Sequence, residues 1–144
     1  MKLKQLSLFL ENRTGQLRAP LETLGNAGID VLTMTLADTA QFGILRFIVA
    51  DPERARKVLE AEGMIVSTTE VVSIQVDNKP GGLAAVLAAI VAAGLGVEYM
   101  YDFAALATPD RAAIIFRFED PDRALEALKS AGVRILTSEE LLGK

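Results

Sequence analysis

The sequence contains no cysteine and no histidine. Without cysteine there are no disulfides, no thiolate nucleophile, no iron–sulfur cluster and no Cys-type zinc site. Without histidine there is no imidazole base, no Ser-His or Cys-His pair, and none of the commonest transition-metal ligand. A long apolar run is also missing. The best stretch, residues 83–95, is too short to span a bilayer and is half alanine, so no membrane partner is expected. Charge of one sign is scarce too: 15 Lys and Arg stand against 19 Asp and Glu, a net −4 without long blocks. Nucleic acid is therefore a poor candidate partner, because phosphate binding needs a basic patch. The lysine-flanked N-terminus is broken by Gln5 and Ser7 and reads as a strand rather than a signal peptide. The expected location is cytoplasmic.

What is present is a core-forming chain of 144 residues, 51% hydrophobic and 24% charged. That composition belongs to globular proteins, and a chain of this length buries roughly 68–70% of its unfolded surface. It also repeats itself. Residues 11–17 and 77–83 share Asn-x-x-Gly-x-Leu at an offset of 66. The same offset pairs Ser7 with Ser73, Ala27 with Ala93, Gly28 with Gly94, Val31 with Val97 and Met34 with Met100. It then slips to 69, matching Asp51-Pro52 to Asp120-Pro121 and Arg54-Ala55 to Arg123-Ala124. The extra residues fall within 104–111, a segment read as a turn around Thr108-Pro109-Asp110.

Each repeat carries the same series of signals. β-type runs at 2–10 and 71–76 stop at an Asn/Gly loop. Helical stretches follow and end at Gly28 and Gly94. Strands are expected at 29–36 and 95–103, then at 43–49 and 112–118. Asp-Pro opens a second helix at 52–62 and 121–131, and last strands lie at 64–69 and 133–137. The order is βαββαβ, twice. The fold class is α+β: two ferredoxin-like repeats, 1–69 and 70–144, each an antiparallel sheet with its helices on one face. With no linker between them, the repeats are expected to move as one rigid body.

With these residues in place the chain resembles the ACT domain, a regulatory module that binds amino acids. The loop Glu-Asn-Arg-Thr-Gly-Gln-Leu with Ala27-Gly28-Ile29-Asp30-Val31 carries the likeness in the first repeat. Asp77-Asn78-Lys79-Pro80-Gly81-Gly82-Leu83 with Ala93-Gly94-Leu95-Gly96-Val97 carries it in the second. Nearly the whole chain is covered, as in stand-alone tandem ACT proteins. The resemblance implies a ligand held across a domain interface by Asn12 and Asp30 in one repeat and by Asn78 and the Gly96 position in the other.

A strand-to-helix loop exposes backbone N–H groups at the positive end of a helix dipole, a place suited to a carboxylate. Asn12, Arg13, Thr14 and Gly15 form that loop in the first repeat; Asn78, Lys79 and Gly81 do so in the second. The resemblance implies Asp30 as the acceptor for the ligand's ammonium, and Gly96 at the matching position would leave the second site without one. The bland alternative is that each Asn is a turn or cap residue and Asp30 merely starts a strand. No cofactor, metal site or catalytic residue is indicated. The reading is a non-enzymatic sensor, a homodimer, that binds an amino acid and relays it to a partner enzyme. A small isomerase- or mutase-type enzyme on the same scaffold, or a ligand-free regulatory subunit, are the alternatives. The helix from Leu83 to Ala93 is apolar all round and should be covered on both sides, by the other repeat or by a second subunit, and the protein is expected to be a homodimer.

Overall fold

The computed structural model describes residues 1–11, 13–38 and 41–142. Two compact units divide the chain, one of residues 4–69 and the other of residues 1–3 with 70–144.

The first unit runs β1 (Leu3–Glu11), α1 (Arg18–Asn26), β2 (Thr33–Asp38), β3 (Phe42–Ile48) and α2 (Pro52–Ala61), and ends in the opening residues of β4 (Val66–Asp77). Alternation along β1 sends Leu6 and Leu8 toward the helices, where they bury against Leu45, Phe47, Leu24, Ala55 and Leu59. Gln5 and Ser7 point to the other face and are also buried, with Gln5 Nε2 donating to Ser7 Oγ at 3.3 Å. Val66 packs on the edge of the same core.

The second unit continues β4 and adds α3 (Gly82–Ala92), β5 (Val97–Asp102), a 3₁₀ turn at Ala104–Leu106, β6 (Arg111–Phe118), α4 (Pro121–Ser130), β7 (Ile135–Leu136) and α5 (Ser138–Leu142). Its core is built alike: Val72, Ile74, Val76, Phe116 and Phe118 of the sheet meet Ile90, Ala124 and Leu128 of the helices.

Strand register reproduces the offsets of the sequence. Leu8 faces Leu45 and Glu11 faces Phe42 in the first unit; Ile74 faces Ile114 and Asp77 faces Arg111 in the second. Leu36 faces Leu45, and its counterpart Asp102 faces Ile114. The shift from 66 to 69 thus lies between Asp102 and Arg111, where the 3₁₀ turn occupies the extra length. The two helices of each unit are joined by the same arginine. Arg54 donates to Ala27 O, while Arg123 donates to Ala93 O and Gly94 O at 3.3 and 3.4 Å. Each guanidinium satisfies carbonyls that a helix end leaves open. Asp51 and Asp120 cap the helices that carry those arginines, accepting from the Arg54 and Arg123 N–H groups at 3.2 and 3.1 Å.

Two expectations are revised. Strands β2 and β5 begin later than the apolar pattern suggested, at Thr33 and Val97, since 29–32 and 95–96 serve as the crossing from helix to strand. The all-apolar face of α3 is not covered by the other elements of its own unit. Ala84, Ala85, Ala88, Val91 and Ala92 are exposed, Val91 at 76%. Among the described residues no helix is long and apolar enough to cross a membrane, and no group of three or more Asp and Glu is placed to hold a metal ion.

Two predictions follow from packing and charge. A Cβ at Gly82 would lie 1.9 Å from the Asp77 carbonyl oxygen, whereas one at Gly25 meets nothing within 4 Å. Gly82→Ala should therefore cost more than about 3 kcal/mol in denaturant unfolding, and Gly25→Ala should stabilise by up to ~1 kcal/mol. The Arg56 hydrogen bond holds the Glu53 carboxyl below its usual range. That contribution is present above the ordinary value of 4.5 and is lost as pH falls below it through the lowered value. Lys2 is raised above 10.5 by Asp122 and Glu70, so its contribution is lost only on the alkaline side. With no histidine between these limits, Tm should be flat from about pH 6 to 9 and fall below about pH 4.5 in calorimetric scans.

Candidate functional site

The strand-to-helix loop of the first unit leaves β1 at Glu11 and reaches α1 only at Arg18. Gly15 turns it at φ +88°, in the left-handed region where a side chain is disfavoured. The Arg13 N–H returns to Glu11 O at 2.8 Å, and the Gln16 N–H to Arg13 O at 3.2 Å. No hydrogen bond from the Thr14 or Gly15 N–H is found among the described residues. Asn12 lies outside the described residues.

Beside the loop is a recess of about 160 Å³. Arg13 and Gln16 line it with Glu11 and Asp38, over a floor of Leu10, Leu17 and Leu36. Arg13 Nε pairs with Glu11 at 2.8 Å, both groups well exposed. A guanidinium, an amide and two carboxylates thus line one small recess, a set able to pair with both ends of a zwitterion. Gln16 and Asp38 were not singled out from sequence. The signal that finds Asp38 is the hairpin register, which sets Asp38 against Gly43, next to the Glu11–Phe42 pair.

Asp30 is placed elsewhere. It precedes β2 at the end where Thr33 faces Ile48, whereas the loop lies at the Asp38–Gly43 end. At about 3.3 Å per residue the two ends of β2 are roughly 17 Å apart. Asp30 is exposed and does not share the recess of its own unit's loop.

The second loop is anchored through its asparagine. Asn78 Nδ2 donates to Thr108 O at 2.7 Å and its N–H to Asp110 O at 2.9 Å, so the side-chain donor anchors the β5–β6 connection. Lys79 Nζ lies 4.0 Å from Asp77. Gly81 takes φ +85°, and Gly82 packs against the Asp77 carbonyl. The Gly96 position, counterpart of Asp30, does have an acidic neighbour. Glu119 donates its N–H to Gly96 O at 3.2 Å, and its carboxyl carbon lies 2.9 Å from where a Cβ of residue 96 would be. At the position equivalent to Glu119 the first repeat has Ala50. A carboxylate thus lies beside the Gly96 position, carried by the residue that follows β6.

Comparison with known proteins agrees with this geometry. A family model described as an ACT domain pair matches residues 1–143. Protein BT0572 from Bacteroides thetaiotaomicron is 39% identical and superposes with a TM-score of 0.90 over 100% of this chain and 98% of its own. The regulatory subunit of aspartate kinase from Thermus thermophilus, in its ligand-free form, gives 0.60 at 21% identity over 89% of this chain and 91% of its own. That from Thermus flavus gives 0.61 at 17% identity over 90% and 92%. These two likenesses concern the fold. No curated protein matches significantly. Duplicated registers, duplicated loops and a family model covering almost every residue lead to one assignment: the chain belongs to the family of paired ACT domains.

Proposed function

We propose that this protein is a non-enzymatic regulatory protein that binds a small amino acid at its strand-to-helix loops and relays binding to a partner enzyme. The observation that carries this reading is the recess at the first loop, where Arg13 and Gln16 share a small volume with Glu11 and Asp38. Membership of the ACT pair family supports it, as does the fold shared with regulatory subunits of aspartate kinase. In this reading the ligand carboxylate takes the Asn12 amide, the N–H groups of Thr14 and Gly15, and Arg13. Its ammonium goes to Asp38 in the same recess, or to Asp30 delivered by a neighbouring ACT unit. Lys79, Gly81 and Asn78 form the second, weaker site, weaker because the Asn78 amide donor is already spent on Thr108.

A thermal-shift screen of the twenty amino acids tests this directly. A ligand at a hundredfold excess over Kd adds about 2.7 kcal/mol, visible as a rise in Tm. In titration calorimetry Asn12→Ala should weaken that ligand ten- to a hundredfold, the loss of a hydrogen bond to a charged group of roughly 1.5–3 kcal/mol. Asn78→Ala should weaken it less. No shift with any amino acid, or equal losses at the two loops, would refute the assignment.

The same reading includes a homodimer. The exposed apolar face of α3, with no charge from Gly82 to Ala92, is the surface that a second copy would cover. Sedimentation equilibrium at micromolar concentration should show a dimer, and Ala88→Glu should yield a folded monomer. A wild-type monomer would rule out this arrangement.

A further inference from the structure

Because the two units share one register, each position of one has a counterpart in the other, and the counterparts show which residues the fold itself requires. On the sheet face away from the helices, the first unit carries Phe9, Phe42 and Ile44, with Ile65 just before β4. The matching positions of the second unit are Gln75, Arg111, Ala113 and Arg134. The sheet forms in both units, so neither the polar groups nor the small alanine is demanded by strand pairing. These four positions share a recess of about 270 Å³ with Ala112, Leu106, Leu136 and Glu140 of α5.

Charge within the recess is unbalanced. Arg134 donates to Gln75 Oε1 at 3.3 Å and to both oxygens of Glu140 at 3.2 Å, so its charge is answered. Arg111 lines the same recess and has no side-chain partner among the described residues. Its register partner Asp77 lies near Lys79 instead, at 4.0 Å. A free guanidinium beside two leucines and an alanine presents a planar fork for a carboxylate and an apolar wall for the rest of the molecule.

We propose that this recess is a second ligand site, separate from the strand-to-helix loops, which binds a small organic acid: carboxylate on Arg111, aliphatic body against Leu106, Leu136 and Ala113. The site lies wholly within the second unit and does not depend on amino-acid binding at the loops.

The test is a titration of isotopically labelled protein followed by amide resonances, with isovalerate, isovaleramide and inorganic phosphate as probes. Isovalerate should produce saturable shifts at 111–113 and 134–136, with none at 42–44 or 13–17. Isovaleramide should not bind. Arg111→Ala, at an exposed strand end, should weaken isovalerate roughly tenfold or more, and Arg111→Lys should keep part of the affinity. Absence of saturation, affinity unchanged in Arg111→Ala, equal binding of the amide, or phosphate binding as tightly as isovalerate would each overturn the proposal. Shifts confined to 13–17 would speak for the loop site and against this one.

Discussion

Everything in each unit hangs on one antiparallel pairing, Leu8 with Leu45 in the first and Ile74 with Ile114 in the second. Side chains alternate with a period of two, so a slip of one residue would turn Leu6 and Leu8 out of the core and Gln5 and Ser7 into it. Held in register, the central strands present one apolar face to two helices, and those helices need only a stripe of their own. Ala55 and Leu59 suffice in α2, as Ala124 and Leu128 do in α4. The arginine between the helices then locks their ends by filling open carbonyls. The loops inherit their position from this frame, because they begin where the central strand stops.

Duplication lets one half of the molecule serve as a control for the other. Residues that recur (Gly15 and Gly81, Asp51 and Asp120, Arg54 and Arg123) mark what the unit needs to turn, cap and close. Residues that differ mark where the halves have parted. The Ser7 hydroxyl is met by Gln5, whereas Ser73, with Val71 in the place of that glutamine, is buried with no hydrogen-bond partner among the described residues. An orphaned hydroxyl of this kind costs stability and does nothing for the strand.

Much of the fold could be read from the chain because its signals are local. Asn-x-x-Gly-x-Leu, the glycines after each first helix and the Asp-Pro caps are decided by backbone geometry within a few residues, and they occur twice. The short C-terminal helix α5 escaped notice, although Thr137 with Glu140 three residues on has the spacing of a capping box. The Thr137 hydroxyl does accept the Glu140 N–H at 3.2 Å, but the Glu140 carboxylate turns to Arg134. The site was harder to see. Asp38 enters the recess through a hairpin, and Glu119 reaches the Gly96 position from the next strand; both are matters of register rather than spacing. Asn78 illustrates the remainder, for nothing near it in sequence announces that its amide is spent on a carbonyl thirty residues away.

The grouping of residues 1–3 with the second unit sets an order of events during synthesis. Lys2 forms ion pairs with Glu70 at 3.1 Å and with Asp122 at 2.8 Å. Asp122 emerges from the ribosome long after the first unit has all its residues. Residues 1–3 thus precede the first unit in sequence but find their partners only once Asp122 has been made. An affinity tag fused there would burden the second half of the molecule, not the half it adjoins in sequence.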